Sequence, residues 1–311
     1  AAAPGAAPAG PPSLHAWAPP RPRARNCGCA RMVASKCLLD VLVVTVLTSL
    51  SWLLDFPRLN ADVPGLGGVY YALKSLPSKY TVFLYDIFLA FDEKDFFNHG
   101  WNTSSLHPCV EGSDWLRYKS KTQPNVYAVL ADETPLEGRR VLEVGSGRGG
   151  GAALLAKCFC PKQIIGIDLV PKQVSQAQSK WASDGPCPVE FMVGDAQQLP
   201  FEDHSFDVVY NVESSHLYPD FEKFYYEVKR VLKPKGTFLY TDVFPTRQLG
   251  NFTASMEKVF EQRVAAIDMT EPWIQSCLMI RETTDPGYCP AEIPLVKHGA
   301  LKYLRYRIVV P

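Results

Sequence analysis

The residues best suited to chemistry begin at a glycine-rich turn, Glu143-Val-Gly-Ser-Gly-Arg-Gly-Gly-Gly151. The turn separates an apolar run, which predicts a strand, from a run with helical periodicity. Its glycines permit positive φ and let a ligand approach the backbone, and the first turn of the helix offers unpaired N–H groups. Such a turn either binds a nucleotide or only reverses the chain, so the turn by itself does not identify a ligand.

Two aspartates follow later strands of the same predicted sheet. Asp168 ends the second strand, where a carboxylate can accept hydrogen bonds from both hydroxyls of a ribose. The alternative for Asp168 is a helix N-cap before Val170-Pro171. Asp195 lies in Val193-Gly-Asp-Ala196, where it can accept from an adenine amino group while the next backbone N–H donates to the ring. Together these acids favour a nucleoside-containing ligand.

Apolar and amphipathic segments alternate from residue 139 onward, which is typical of βαβ units and a parallel sheet. We therefore predict an α/β, Rossmann-like, doubly wound and mostly parallel sheet in a domain spanning 136–311. The predicted strands are 140–144, 163–167, 190–193, 206–211, 237–242 and 301–310. The predicted helices are 151–159, 172–182 and 221–232.

The order of these motifs resembles the class I S-adenosylmethionine-dependent methyltransferases over residues 136–243. After the turn and the acidic second strand come Gly194-Asp-Ala, Leu199-Pro-Phe, Phe206-Asp-Val-Val and Leu232-Lys-Pro-Lys-Gly. A nicotinamide-dependent dehydrogenase would lack this set. The resemblance implies S-adenosylmethionine as the cofactor, and no metal is expected. The cofactor-binding residues it implies are Trp101, Glu143, Gly145, Ser146, Gly147, Gly149, Asp168, Leu169, Asp195, Ala196 and Asn211.

A second resemblance concerns the segment Asn211-Val-Glu-Ser-Ser-His-Leu-Tyr-Pro219, read with the glycines at 147–151. It is similar to the branch containing phthiotriol dimycocerosate and natural-product O-methyltransferases. Sterol and tocopherol C-methyltransferases also place a Glu and a His here. His216 is the predicted general base, since imidazole ionises near neutral pH. Its alternative is a packing or capping histidine.

Glu213, Asp242 and Trp101 are further candidate site residues. Glu213 is predicted to be catalytic, by orienting His216, or to contact the cofactor, and Asp242 is a second candidate base. Trp101, in Asn98-His-Gly-Trp, resembles the segment that covers the cofactor in this branch, and a buried turn is its alternative. The predicted acceptor is a lipophilic small molecule or lipid, methylated at a hydroxyl oxygen. C-methylation of a sterol or prenyl quinol, or cofactor binding without catalysis, are the alternatives.

The N-terminal part of the chain has a different character. Residues 1–36 are rich in Ala and Pro and contain no acid, which fits a transit peptide, a disordered tail or translated upstream sequence. Residues 37–56 are mostly apolar, with Asp40 and Asp55 on either side of a charge-free stretch at 41–54, and we expect a membrane anchor, an uncleaved signal segment or a packed helix. Lys36 before this segment would leave the N-terminus in the cytosol. Residues 57–135 are predicted to be a helical, aromatic-rich cover.

The composition bounds the partners. Hydrophobic residues make up 47% and charged residues 21%, which is globular, and a net charge of +0 gives no case for nucleic-acid binding. We expect membrane association through residues 37–56, on the endoplasmic reticulum or another organelle, with the catalytic domain outside the bilayer. A cytoplasmic protein is the alternative, and no oligomeric state is indicated.

Three further expectations concern cysteines, sequons and the C-terminal part. The spacing of the nine cysteines predicts buried reduced thiols rather than a disulfide scaffold or a zinc site. The sequons Asn102-Thr-Ser and Asn251-Phe-Thr are interpreted as incidental. Between Asp242 and Leu301 we expect one amphipathic helix at 251–267 and a sixth strand at 277–281. This spacing is shorter than usual, which predicts a degraded terminal hairpin.

Overall fold

The structure is a computed structural model that describes residues 96, 98, 100–102, 106–111, 122–132, 134–283 and 292–311. The predicted segments 1–36 and 37–56 and most of the predicted cover 57–135 lie outside these residues. In the part of the cover that is described, two helices are present: α1 (Pro108–Glu111) and α2 (Thr122–Ala131).

A seven-stranded sheet forms the centre of the domain. Its strands, in chain order, are β1 (Arg140–Val144), β2 (Gln163–Asp168), β3 (Val189–Val193), β4 (Phe206–Val212), β5 (Leu232–Pro245), β6 (Ala266–Asp268) and β7 (Leu301–Val309). They are arranged in the order β3-β2-β1-β4-β5-β7-β6. The first five are parallel, and β7 runs antiparallel between β5 and β6. The predicted Rossmann-like, mostly parallel sheet is confirmed.

Six further helices surround the sheet. They are α3 (Gly150–Phe159), α4 (Pro171–Trp181), α5 (Phe221–Val231), α6 (Leu249–Phe260), α7 (Thr270–Thr283) and α8 (Glu292–Lys297). The sequence explains where α4 and α5 begin. Pro171 occupies the first turn of α4, and Asp220 caps α5 by accepting from the Lys223 N–H at 2.9 Å. The predicted helices therefore hold to within a residue at each end.

Alternate residues of the central strands face opposite layers of core. Val141 and Val208 pack with residues of α2 and α3 on one face, whereas Leu142 and Val209 pack with residues of α5 and α6 on the other. Strands covered on both faces by helices are apolar along both faces. The hydrophobic residues of these strands therefore form continuous runs instead of alternating with polar residues.

The prediction for the C-terminal region was wrong. Residues 277–281 lie in α7, and the sixth strand is Ala266–Asp268. Trp273, Ile274, Cys277 and Ile280 are buried at helical spacing, so the apolar run belongs to one face of a helix. The antiparallel pairing of β7 with β5 extends over nine positions, whereas β6 pairs with β7 at three positions, so the β6 side of the hairpin is short. The predicted helix 251–267 is the shorter α6.

The expectation of reduced thiols was also wrong for four cysteines. Cys109 of α1 is bonded to Cys158 of α3, with Cα atoms 5.8 Å apart. Cys160, at the end of α3, is bonded to Cys187 before β3, with Cα atoms 4.9 Å apart. Sequence separations of 49 and 27 residues hide this proximity, because only the packing of α3 brings the partners together. Within the described residues Cys277 is a buried thiol.

The residues that the structure describes contain no group of three or more His, Cys, Asp or Glu side chains that could hold a metal ion. None of their helices has the length and apolar character needed to cross a bilayer.

Candidate active site

The glycine-rich turn forms a backbone cradle at the carboxyl end of β1. Gly145, Gly147 and Gly149 all have positive φ, at 74°, 53° and 80°. A Cβ on Gly149 would collide with the ring of Phe191, and one on Gly145 would collide with the side chain of Ser214. The turn therefore needs glycine both for its backbone conformation and for the close approach of neighbouring groups.

Asp168 ends β2 beside this cradle. Its Oδ2 accepts from the Gly147 N–H at 2.8 Å and its Oδ1 accepts from the Val170 N–H at 2.9 Å. The N-cap of α4 is Val170 rather than Asp168. Burial raises the pKa of Asp168, although the backbone donors favour the charged form. The carboxylate is thus fixed at the cleft wall, with lone pairs remaining for a ribose diol.

Asp195 follows β3 at the same edge of the sheet. Its Oδ1 accepts from the Gln197 N–H at 2.8 Å, which closes a tight turn over Ala196. Asp195, Ala196 and Leu169 line the cleft together with Asp168. Carboxyl ends of neighbouring parallel strands meet at one edge, so the predicted ribose and adenine sites are adjacent.

His216 and Asp242 form a hydrogen-bonded pair on the far wall. Nδ1 of His216 lies 2.7 Å from Oδ1 of Asp242, and the His216 N–H donates to Oδ2 at 3.0 Å. The hydroxyl of Ser215 also donates to Oδ2, at 2.6 Å. Burial opposes ionisation of Asp242, but His216 and Ser215 outweigh it and hold its pKa below the usual range. Asp242 is therefore held ionised, in contact with both the ring and the backbone N–H of His216.

Glu213 lines the cleft immediately after β4, in a left-handed conformation with φ of 46°. The hydroxyl of Tyr303, from β7, donates to its Oε1 at 2.6 Å. Burial and the neighbouring Glu213 raise the pKa of Tyr303, so the phenol stays protonated as a donor. Glu213 therefore lies at the cleft with its carboxylate bound to Tyr303, and its orienting of His216 stays a prediction.

Four predicted cofactor residues do not line the cleft. Gly149 packs on Phe191, and Asn211 is buried, where its Nδ2 donates to the Val144 carbonyl at 3.0 Å. Trp101 is fully buried with its ring 6.1 Å from that of Tyr303. Its interpretation as a cover over the cofactor is therefore corrected to that of a core residue, because the ring is fully buried and does not line the cleft. Glu143 is the fourth predicted cofactor residue that does not line the cleft.

Glu143 lies beneath the cleft, next to Tyr127, which lines it. Burial raises the pKa of Glu143 to about 8, although the Tyr127 hydroxyl and the Ala152 N–H favour the charged form. Among the described residues no hydrogen bond of ordinary geometry reaches either carboxylate oxygen. A buried carboxyl of this kind would be charged most readily beside a cation.

The cleft as a whole has a volume of about 280 Å³. Of the predicted residues it brings together Gly145, Ser146, Gly147, Asp168, Leu169, Asp195, Ala196, Glu213 and His216. Lining residues that the sequence did not identify include Phe96, Asn98, Gln173, Gln197, Leu217 and Tyr218. The side-chain types of these residues do not indicate a particular ligand. For Leu217 and Tyr218, their position after a strand was the one signal that the sequence offered.

The residues present fit S-adenosylmethionine. The backbone of Gly145 and Gly147 lines the cleft with positive φ, and neither residue has a side chain that would keep a ligand from the backbone. Asp168 and Asp195 offer carboxylates at the positions for a ribose and an adenine, and the buried Glu143 suits a cationic group close by.

The comparisons with known proteins agree with this site. Residues 142–240 match the family model of the methyltransferase domain. A fatty-acid O-methyltransferase of Mycolicibacterium smegmatis is 44% identical over 156 residues, which are 50% of this chain and 54% of that protein. A probable phthiotriol/phenolphthiotriol dimycocerosates methyltransferase of Mycobacterium ulcerans is 42% identical over 141 residues, 45% of this chain and 54% of that protein.

A solved structure shows the same fold. Geranyl diphosphate C-methyltransferase from Streptomyces coelicolor, in complex with S-adenosyl-L-homocysteine, aligns with a TM-score of 0.56 and 15% identity. The alignment covers 76% of this chain and 99% of that one. The chain spans about half the length of the curated relatives it matches. Residues 142–240 match the model of a methyltransferase domain, and the solved structure shows that the fold is shared.

Proposed function

We propose that this domain transfers a methyl group from S-adenosylmethionine to an oxygen atom of a lipophilic acceptor, with His216 as general base. The observation that carries the proposal is the pairing of His216 with the buried Asp242 at the wall of the cofactor cleft. An imidazole held by a carboxylate is the usual arrangement for removing a proton from a hydroxyl.

The chain's own groups divide the work of binding. The bound cofactor supplies an electrophilic methyl group on a sulfonium. Asp168 accepts from the ribose hydroxyls and Asp195 from the adenine, while the glycine cradle admits the donor close to the backbone. These contacts fix the orientation of the donor, which matters because methyl transfer needs in-line geometry.

The histidine pair then handles the proton. The bond to Asp242 keeps a proton on Nδ1, so Nε2 is the basic nitrogen of the neutral ring. Nε2 would accept the hydroxyl proton as the acceptor oxygen takes the methyl group and the methyl–sulfur bond breaks, so that the donor leaves as the neutral thioether. The carboxylate of Asp242 would stabilise the resulting imidazolium. Ser215 and the Val243 N–H, at 2.6 and 2.8 Å, keep Asp242 ionised for this purpose.

The lipophilic class of acceptor rests on two observations. Phe96, Leu217 and Val212 supply apolar surface to the cleft beside His216. The relatives matched over 142–240 are named for a fatty acid and for phthiotriol dimycocerosates. We propose membrane association through residues 37–56 as the means of reaching such an acceptor, on the basis of the sequence of that segment alone.

A transfer assay with labelled cofactor tests the proposal. Long-chain alcohols, phenols and fatty acids are offered to the wild-type protein and to H216A, with H298A as the control because His298 is exposed and outside the cleft. With a hydroxyl acceptor, H216A should lose about 10²- to 10⁴-fold in kcat, and H298A nothing. Full activity of H216A on hydroxyl acceptors would remove His216 as base.

A fatty acid gives a different expected result, because a carboxylate is already ionised and needs no base. If only carboxylic acids are methylated, H216A should retain its rate, and the acceptor oxygen would be assigned to a carboxylate instead.

C-methylation is the second candidate, favoured by Glu213, which lines the cleft, and by the buried aromatic ring of Tyr303 that it contacts. A carboxylate and an aromatic face can stabilise a carbocation formed from an alkene. Mass spectrometry of the labelled product separates the two, since a methyl on carbon resists cleavage that removes a methyl ether or ester. E213Q would then be the damaging variant and H216A the milder one.

A further inference from the structure

The described cysteines and the two sequons of the chain point to the same compartment. Four of the described cysteines are paired through two bonds, which join two separate segments, α1 and the turn before β3, to the end of one helix. Structural disulfides persist in oxidising compartments and are rare in the cytosol. We propose that this domain folds in the lumen of the secretory pathway and that Asn251 carries an N-linked glycan.

The arrangement of the disulfides indicates a structural role. Cys158 and Cys160 lie on either side of Phe159 at the end of α3, the helix whose first turn follows the glycine cradle. One bond ties this end to α1, and the other ties it to the turn before β3. Both bonds therefore hold the helix that supports the cofactor turn, and neither sulfur pair lines the cleft.

The position of Asn251 suits a glycan. The chain contains two Asn-x-Ser/Thr sequences, at Asn102 and Asn251. Asn251 is exposed in the first turn of α6, whereas the next residue, Phe252, packs into the core. The neighbouring Gly250 has open space on its Cβ side. An attached oligosaccharide would project into solvent, and Asn251 does not line the cleft.

Both modifications have ordinary chemical sources in that compartment. Each disulfide forms when two thiols lose two protons and two electrons to a disulfide-bearing oxidoreductase. Nδ2 of Asn251 forms a bond to C1 of an oligosaccharide carried on a lipid diphosphate, losing a proton while the lipid diphosphate leaves. Lys36, followed by the apolar residues 37–56, predicts the same orientation for the domain from sequence alone.

The glycan is tested with the full chain expressed in cells with an N-glycosylation pathway. N102Q leaves a single sequon, and this chain should move faster on a gel after endoglycosidase treatment. Adding T253A should abolish the shift, whereas the matched T253S keeps both the sequon and the hydroxyl and should retain it. An N102Q chain with the same mobility before and after the enzyme would overturn the proposal.

The disulfides are tested in the same cells by alkylating free thiols before lysis and mapping peptides by mass spectrometry. Peptides joined through Cys109–Cys158 and Cys160–Cys187 are expected without reduction. Alkylation of all four cysteines in the native chain would also overturn the proposal. Neither measurement depends on methyl transfer, so it stands apart from the proposed function.

Discussion

Asp242 holds His216 at two points, since its Oδ1 lies 2.7 Å from the imidazole Nδ1 and its Oδ2 accepts the backbone N–H of the same residue at 3.0 Å. The two residues belong to neighbouring parallel strands, because β4 leads into the turn that carries His216 and Asp242 lies near the end of β5. The orientation of the base is therefore set by the sheet itself.

The first prediction concerns this pair. D242N keeps the shape of the side chain but removes the charge that stabilises an imidazolium, so kcat with a hydroxyl acceptor should fall by about 10²-fold or more. D184N is the control, because Asp184 is exposed before β3. Steady-state kinetics measure the effect, and equal kcat values for D242N and wild type would contradict the role of Asp242.

The same carboxyl should appear in the acid stability of the protein. The pKa of Asp242 is lowered in the folded state, so its contribution is fully present above the unfolded value of about 4. It is lost as the pH falls through the folded value. Denaturant unfolding between pH 7 and 3 should show a shallower loss of stability in D242N than in D184N over that acid range.

Glu143 gives a prediction of opposite sign. Its pKa is raised to about 8, so the folded state keeps a proton that the unfolded chain releases near pH 4. The stability contributed by protonated Glu143 is complete below about pH 4. It is lost as the pH rises towards 8, by up to about 1.4 kcal/mol per pH unit. E143Q should flatten this slope, and E282Q, at an exposed position of α7, should not.

Cofactor binding should release a proton from the same group. A cationic donor favours the ionised carboxylate, so calorimetry at pH 7 in two buffers of different ionisation enthalpy should detect proton release in the wild type. The release should be absent in E143Q. Identical buffer dependence in the two proteins would show that Glu143 does not sense the ligand.

Asp168 should control cofactor affinity. Replacement by Ala removes the carboxylate that accepts from the ribose and also the partner of the Gly147 N–H. Losing charged hydrogen bonds of about 1.5–3 kcal/mol each should weaken S-adenosylmethionine binding by at least 10-fold. Calorimetry on D168A, with D184A as control, makes the measurement, and unchanged affinity would contradict the assignment of the ribose site.

The Cys160–Cys187 bond should contribute measurably to stability. A sequence separation of 27 corresponds to roughly 3.5 kcal/mol from loss of unfolded-chain entropy. The double variant C160S/C187S should therefore unfold at lower denaturant than the oxidised wild type. Reducing agent should destabilise the wild type and leave less effect on the variant, in which only Cys109–Cys158 remains to be reduced.

Local patterns predicted the strands and the acids at their ends, because buried parallel strands are continuous apolar runs and their carboxyl ends converge. Asp168 and Asp195 were found in this way. The partnership of His216 with Asp242 was not, since it depends on the register of β4 against β5. Trp101 was misjudged because an aromatic beside a glycine looks the same whether it faces a ligand or the core.

The strand order β5-β7-β6 has a consequence for synthesis of the chain. Although β6 precedes β7, it joins the sheet only through β7. A ribosome adds about 5–20 residues per second, so β6 is made before β7. Until β7 is made, β6 has no partner strand and nine positions of β5 stay unpaired. Such an open edge is a template for pairing with the strands of other chains until β7 covers it. The arrival of Tyr303 then closes the edge and gives Glu213 its hydrogen-bond donor.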